Sequence, residues 1–125
     1  MGAIITDDTG RLLLIQRGHE PEEGRWSLPG GRVRPGESDP EAVAREVREE
    51  TGLHVEPGRL VGAVERPAPG GAVFDIYDYA ASVSGGQLVA GDDAADARWV
   101  HPRDLDRLSL TTGLADTLTG WGVLG

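Results

Sequence analysis

Glu46, Glu49 and Glu50 bring three carboxylates together within a few residues of chain. Residues three and four apart share a helical face, so this spacing would place all three acids on one side of a helix. Like charges that close repel and weaken the helix. A divalent cation removes the repulsion. Oxygen-only ligands suit Mg²⁺ or Mn²⁺ far better than zinc, and the chemistry of such a site is metal-assisted attack by water. The competing reading is a solvated acidic face with Arg45 and Arg48 as its ion-pair partners.

The acids need a helix beneath them, and the flanking residues supply its ends. Ser38-Asp39-Pro40-Glu41 reads as a capping box, with Ser38 as N-cap and Glu41 three residues on. Pro40 is tolerated only in a first turn, and Gly52 suits the left-handed residue that closes a helix. The predicted helix spans Asp39 to Thr51. Val43 and Val47 form the apolar stripe that would seat it on a sheet. Just upstream, Leu28-Pro29-Gly30-Gly31 contains a Gly-Gly pair that lets backbone approach a ligand closely.

Taken whole, the segment is Gly31, five residues, Glu37, seven residues, then Arg45-Glu46-Val47-Arg48-Glu49-Glu50-Thr51-Gly52-Leu53. It resembles the box of the Nudix hydrolases with no deviation. The resemblance implies a three-layer α/β/α sandwich with a mixed β-sheet, spanning 1–125 as one domain. It implies Mg²⁺, with Mn²⁺ able to substitute, held by Glu46, Glu49, Glu50 and the Gly30 carbonyl. It implies that Glu37 and Arg45 pair to hold the loop on the helix, and that Gly31 and Gly52 are structural members of the box. The activity it implies is hydrolysis of a nucleoside diphosphate linked to another group X. A carboxylate serves as general base, drawn from the three glutamates or from the acidic loop Gly91 to Asp96, where Asp93 is favoured over Asp92 and Asp96. The competing reading of that loop is a solvated turn. Arg17, at the end of the second predicted strand, is where family members often contact a substrate phosphate; otherwise it is a surface arginine.

Substrate is less sharply marked. Pro67 and Pro69 fall where ADP-ribose-cleaving members carry a proline, which favours ADP-ribose or another nucleotide sugar. The competing reading of these prolines is an ordinary proline-rich loop, and the short chain looks more like a compact nucleoside-triphosphate-cleaning member, which is the alternative reading. Isopentenyl diphosphate isomerase shares the fold but uses a cysteine, which this chain lacks. A non-catalytic nucleotide-sensing module is the reading from another class. Such modules usually lose box carboxylates, and this chain keeps them.

Composition narrows the partners. A net charge of −9 over 125 residues disfavours a nucleic-acid duplex, while a small phosphorylated substrate is still served by metal ions. All twelve basic residues are arginine, and cysteine is absent, which excludes disulfides and thiolate metal sites. No apolar run reaches membrane-spanning length, and the N-terminus does not read as a signal peptide. Met1-Gly2-Ala3-Ile4-Ile5-Thr6 formally matches a myristoylation pattern but reads as a buried strand. The expected setting is the cytoplasm, with a small nucleotide as substrate and a homodimer allowed.

The remaining elements follow from periodicity. Gly2 to Thr6 and Arg11 to Gln16 are predicted as a hairpin around Asp7-Asp8-Thr9-Gly10. Trp26 to Leu28, Leu60 to Glu65, Val73 to Val83 (the longest), Gln87 to Ala90 and Ala97 to Val100 are predicted strands. Pro102 to Leu108 and Thr111 to Trp121 are predicted helices. Trp26 either stacks a base or packs in the core; Trp99 and Trp121 read as core. Tyr77 and Tyr79 share a strand face that borders a base pocket or the core. His19, His54 and His101 fall in different loops without metal-ligand spacing, and read as structural or exposed.

Overall fold

The computed structural model describes residues 1–67, 69–91 and 94–123. In chain order the elements are β1 Gly2–Ile5, β2 Leu12–Arg17, β3 Trp26–Ser27, α1 Asp39–Thr51, β4 Leu53–Pro67, a short 3-10 stretch Pro69–Gly71, β5 Val73–Gly86, β6 Ala94–Val100, a second 3-10 stretch Pro102–Arg107, and α2 Leu114–Gly120. A mixed sheet runs β1-β5-β4, with β1 parallel and β4 antiparallel to β5. A second, antiparallel sheet runs β3-β2-β6.

Two apolar layers follow from strand alternation. Ala3, Ile5 and Leu13 point to one side and pack with Val43 and Val47 of α1 and with Leu53 and Val55. Ile4, Leu12 and Leu14 point to the other side, against Leu105, Leu114 and Leu118. Helical layers thus cover both faces, as the α/β/α expectation requires.

Several predicted elements are corrected. The Asp7–Gly10 turn forms, with Asp7 Oδ1 accepting from the Thr9 and Arg11 N–H groups. The strands flanking it share only the Thr6–Leu12 bridge and then enter different sheets. Both are apolar on both faces, so each gains more from its own place between the helical layers than from pairing along its neighbour. β4 begins at Leu53 rather than Leu60 and, at 15 residues, exceeds the 14 of β5. Bulges between Pro57 and Gly62 break its alternation, and His54 therefore lies in a strand rather than a loop. Gln87 to Ala90 is not a strand. This stretch runs along the end of α1, where the Val89 N–H donates to the Thr51 carbonyl and the Gly91 N–H to the Glu50 carbonyl, satisfying acceptors that a helix end leaves open. Pro102–Arg107 is 3-10 rather than α-helical. The last helix starts at Leu114 because Gly113, at φ 81°, precedes it in the left-handed conformation.

Candidate active site

The expected capping box is present: the Ser38 hydroxyl accepts from the Glu41 N–H at 3.3 Å, and the Glu41 carboxylate accepts from the Ser38 N–H at 3.0 Å. Gly52 closes the helix at φ 75° and donates its N–H to the Arg48 carbonyl. With Val43 and Val47 fully buried beneath it, α1 has a fixed rotation. That rotation turns Glu46, Glu49 and Glu50 into a cleft of about 670 Å³.

Gly30 and Gly31 face these acids. Their segment is pinned to the chain's first residues, the Ala3 N–H donating to the Pro29 carbonyl at 2.9 Å and the Gly31 N–H to the Met1 carbonyl at 3.0 Å. The Gly30 N–H donates to Glu50 Oε1 at 2.8 Å, and Glu50 is only 8% exposed. A Cβ on Gly31 would stand 2.6 Å from the Glu46 carboxyl carbon and would displace that carboxylate, while a Cβ on Gly30 would meet the Met1 backbone carbonyl at 2.1 Å, so the close approach requires glycine at position 30.

Arg45 is the hub of the electrostatics. Its Nε and Nη2 donate to the two Glu37 oxygens at 2.5 and 3.0 Å, and Nη2 also donates to the Arg32 carbonyl at 3.0 Å. This is the loop-to-helix clamp that the resemblance implied for Glu37 and Arg45. The Arg45 guanidinium, helped by the Arg34 N–H, holds the Glu37 carboxyl down to about 2. Nη1 of the same guanidinium bridges Glu46 at 2.9 Å and Glu49 at 3.2 Å, and Arg34 approaches Glu49 at 3.7 Å. The repulsion among the acids is therefore met in part by Arg45. Arg48 makes no ion pair among the described residues.

Among the described residues, no three acidic or imidazole side chains gather closely enough to enclose an ion by themselves. The donor chemistry still fits a hard divalent cation. Mg²⁺ retains several waters and takes one or two carboxylates plus substrate phosphates, and Glu46, Glu49, Glu50 and the Gly30 carbonyl offer oxygen alone.

The opposite wall is β2 and its extension: Ile15, Arg17, Gly18 and His19. Arg17 Nε donates to the Pro21 carbonyl at 2.6 Å, which anchors the side chain, and, behind the Thr112 hydroxyl, its charge helps to hold the Glu22 carboxyl below its ordinary value; a guanidinium fork of this kind suits a phosphate. His19, expected to be structural or exposed, lines the cleft. It sits in the bend just past β2, and nothing local in the sequence marked it, since only the folded cleft brings it beside Arg17.

Other candidates lie elsewhere. Trp26 does not line the cleft; it is 6% exposed, packs with Leu12, Leu14 and Leu118, and carries the Arg98 guanidinium over its ring. Its burial supports the packing role over base stacking. Trp121 packs on the α2 side and Trp99 on the α1 side. Tyr79 donates to Asp39 at 2.5 Å, while Tyr77 is exposed. Asp96 pairs with Arg98 at 2.8 Å. Asp92 and Asp93 lie outside the described residues. His101 caps the second 3-10 stretch, accepting from the Arg103 N–H. Asp78, unforeseen as a site, is a buried acid on β5, and burial pushes its carboxyl up to about 6.

Known proteins give the same arrangement a context. The NUDIX domain family matches residues 1–119. An ADP-ribose pyrophosphatase of Methanocaldococcus jannaschii is 40% identical over 107 residues, 84% of this chain and 63% of that protein. A putative 8-oxo-dGTP diphosphatase of Bacillus subtilis is 37% identical over 100 residues, again 63% of its length. The chain thus spans somewhat under two thirds of these relatives. The crystal structure of a MutT NUDIX hydrolase from Burkholderia pseudomallei superposes with a TM-score of 0.80 at 36% identity, covering 94% of this chain and 92% of that one.

Proposed function

The chain belongs to the Nudix family, and from that premise we propose that it is a metal-dependent hydrolase cleaving the diphosphate bond of a nucleoside diphosphate linked to X, with ADP-ribose or another nucleotide sugar as substrate. The observation that carries this reading is the shared cleft, in which Arg17 stands across from Gly30, Gly31 and the three glutamates. The sugar-nucleotide preference draws on the M. jannaschii relative's name and on Pro67 and Pro69.

In this reading Glu46, Glu49, Glu50 and the Gly30 carbonyl hold the ion. The chemistry a divalent cation supplies when bound is charge neutralisation on phosphate oxygens and a more acidic water. The Gly30 N–H, donating to Oε1, holds Glu50 in place, and its carboxylate would be one of the ligands of the ion. Arg45 keeps Glu46 and Glu49 from splaying apart. Arg17 grips a non-bridging oxygen of the diphosphate. A carboxylate of the cleft, or Asp93, takes the proton of water as it attacks one phosphorus. A phosphate monoester leaves, without a covalent intermediate.

A second reading, nucleoside triphosphate pyrophosphohydrolysis, is favoured by the name of the B. subtilis relative. One panel separates them: ADP-ribose, other nucleotide sugars and 8-oxo-dGTP, each with Mg²⁺ and Mn²⁺ and read by product chromatography. ADP-ribose should give AMP and ribose 5-phosphate. Turnover persisting in excess EDTA would overturn the metal mechanism.

A further inference from the structure

We propose that His19 is a substrate-contacting residue that reads the X group, donating a hydrogen bond to an oxygen of X at the mouth of the cleft. The inference rests on the hydrolase reading above and deepens it. Ile15, Arg17 and His19 are spaced by two, and all three line the cleft. Ile15 and Arg17 belong to β2 and His19 to the bend just after it, so the three follow the chain along one wall. Exposure rises along it: Ile15 is 5% exposed, Arg17 is half-buried and His19 is exposed. With Arg17 on the diphosphate, His19, the more exposed of the two on the same wall, meets what lies beyond it.

An imidazole donates one N–H when neutral, so the contact needs no change of charge. Its partner is an oxygen acceptor, which X can offer as a sugar hydroxyl or as a further phosphate. A contact this far from the reacting phosphorus holds ground state and transition state alike, and therefore acts on KM.

The test compares wild type, His19→Phe and His19→Gln on three substrates: ADP-ribose, ATP, and ADP esterified with methanol on its terminal phosphate. The methyl ester keeps the diphosphate but removes the acceptor on X. His19→Phe should raise KM about tenfold for ADP-ribose or ATP, the one affected naming the source of the oxygen. That loss is the size of one lost hydrogen bond. KM for the methyl ester should stay within about twofold. His19→Gln keeps an N–H donor and should retain most of the wild-type KM. The Mn²⁺-induced rise in Tm should match wild type in both variants. Equal loss on all three substrates would make His19 a structural residue and overturn the proposal, and so would no loss on any. Turnover of none of the three by wild type would remove the hydrolase reading itself, and this inference with it.

Discussion

Glu50 accepts a hydrogen bond from the Gly30 N–H at 2.8 Å, which ties the last turn of α1 to a loop twenty residues upstream. One carboxylate oxygen is thereby spent on orientation. Replacing Glu50 with glutamine keeps an oxygen for Gly30 and removes the charge. Glu50→Gln should lower kcat by at least about a hundredfold with the fold intact, as expected for a charged ligand of a hard cation. Glu41→Gln should do little, since glutamine also completes a capping box. Equal kinetics for the two variants would show the roles to be misassigned.

Mg²⁺ should raise Tm, because an ion that binds the native state stabilises it. The carboxylates of α1 are the expected cause. Melting wild type beside a Glu46/Glu49/Glu50 triple glutamine variant checks this. An equal rise in both would place the ion elsewhere.

Arg17, anchored through Nε to the Pro21 carbonyl, should act on binding more than on turnover. Arg17→Ala should raise KM for the nucleotide by more than it lowers kcat. Steady-state kinetics with both parameters unchanged would return Arg17 to the surface.

The Glu37–Arg45 clamp should appear in acid. The Glu37 carboxyl is held at about 2, below its ordinary 4.5, chiefly by the Arg45 side chain. A depressed carboxyl pKa contributes stability above the unfolded value, and the contribution is lost as pH falls through the folded one. The clamp's stabilisation should therefore be complete at neutral pH and fade between about 4.5 and 2. Arg45→Gln should reduce that fading when melts of variant and wild type are compared across the window. Identical acid limbs would mean that the clamp adds nothing.

What could be read from sequence was what local rules decide. Ser38, Pro40 and Gly52 each act within a turn of the helix they bound, and the box spacing brought Glu37 to Arg45 without tertiary information. The rest depended on partners distant in the chain. β4 was missed upstream of Leu60 because bulges near Pro57 and Gly62 interrupt its alternation. Gln87 to Ala90 looked like a strand, but its hydrogen bonds go to the end of α1. Arg45 was foreseen as the partner of Glu37, yet its additional bridge between Glu46 and Glu49 depends on side-chain placement. His19 was hidden because its place in the cleft is set only when the end of β2 and α1 meet. Asp78 sat unremarked in an alternating strand, since nothing in its neighbours reveals that Gly2 and Gly62 will flank it.

Asp78 carries the remaining prediction, and its sign is opposite to that of Glu37. It is 4% exposed. Burial raises its carboxyl from 3.8 to about 6, against the lowering pull of the N-terminal amine and Arg66. Its Oδ1 would lie 2.2 Å from a Cβ on Gly2, so it occupies space that a side chain on β1 would fill. The folded state favours the protonated acid, so folding binds a proton between the two pKa values. Stability should be fully present below about 4, fall as pH rises to about 6, and level off above. The rise from 3.8 to about 6 corresponds to roughly 3 kcal/mol of strain on the charged form. Asp78→Asn keeps the shape without the charge. It should raise Tm at pH 7.5 and remove the downward slope between pH 4 and 6 when wild type and variant are melted side by side. A variant less stable than wild type at pH 7.5 would mean that the ionised carboxylate is held by more favourable contacts than its burial costs.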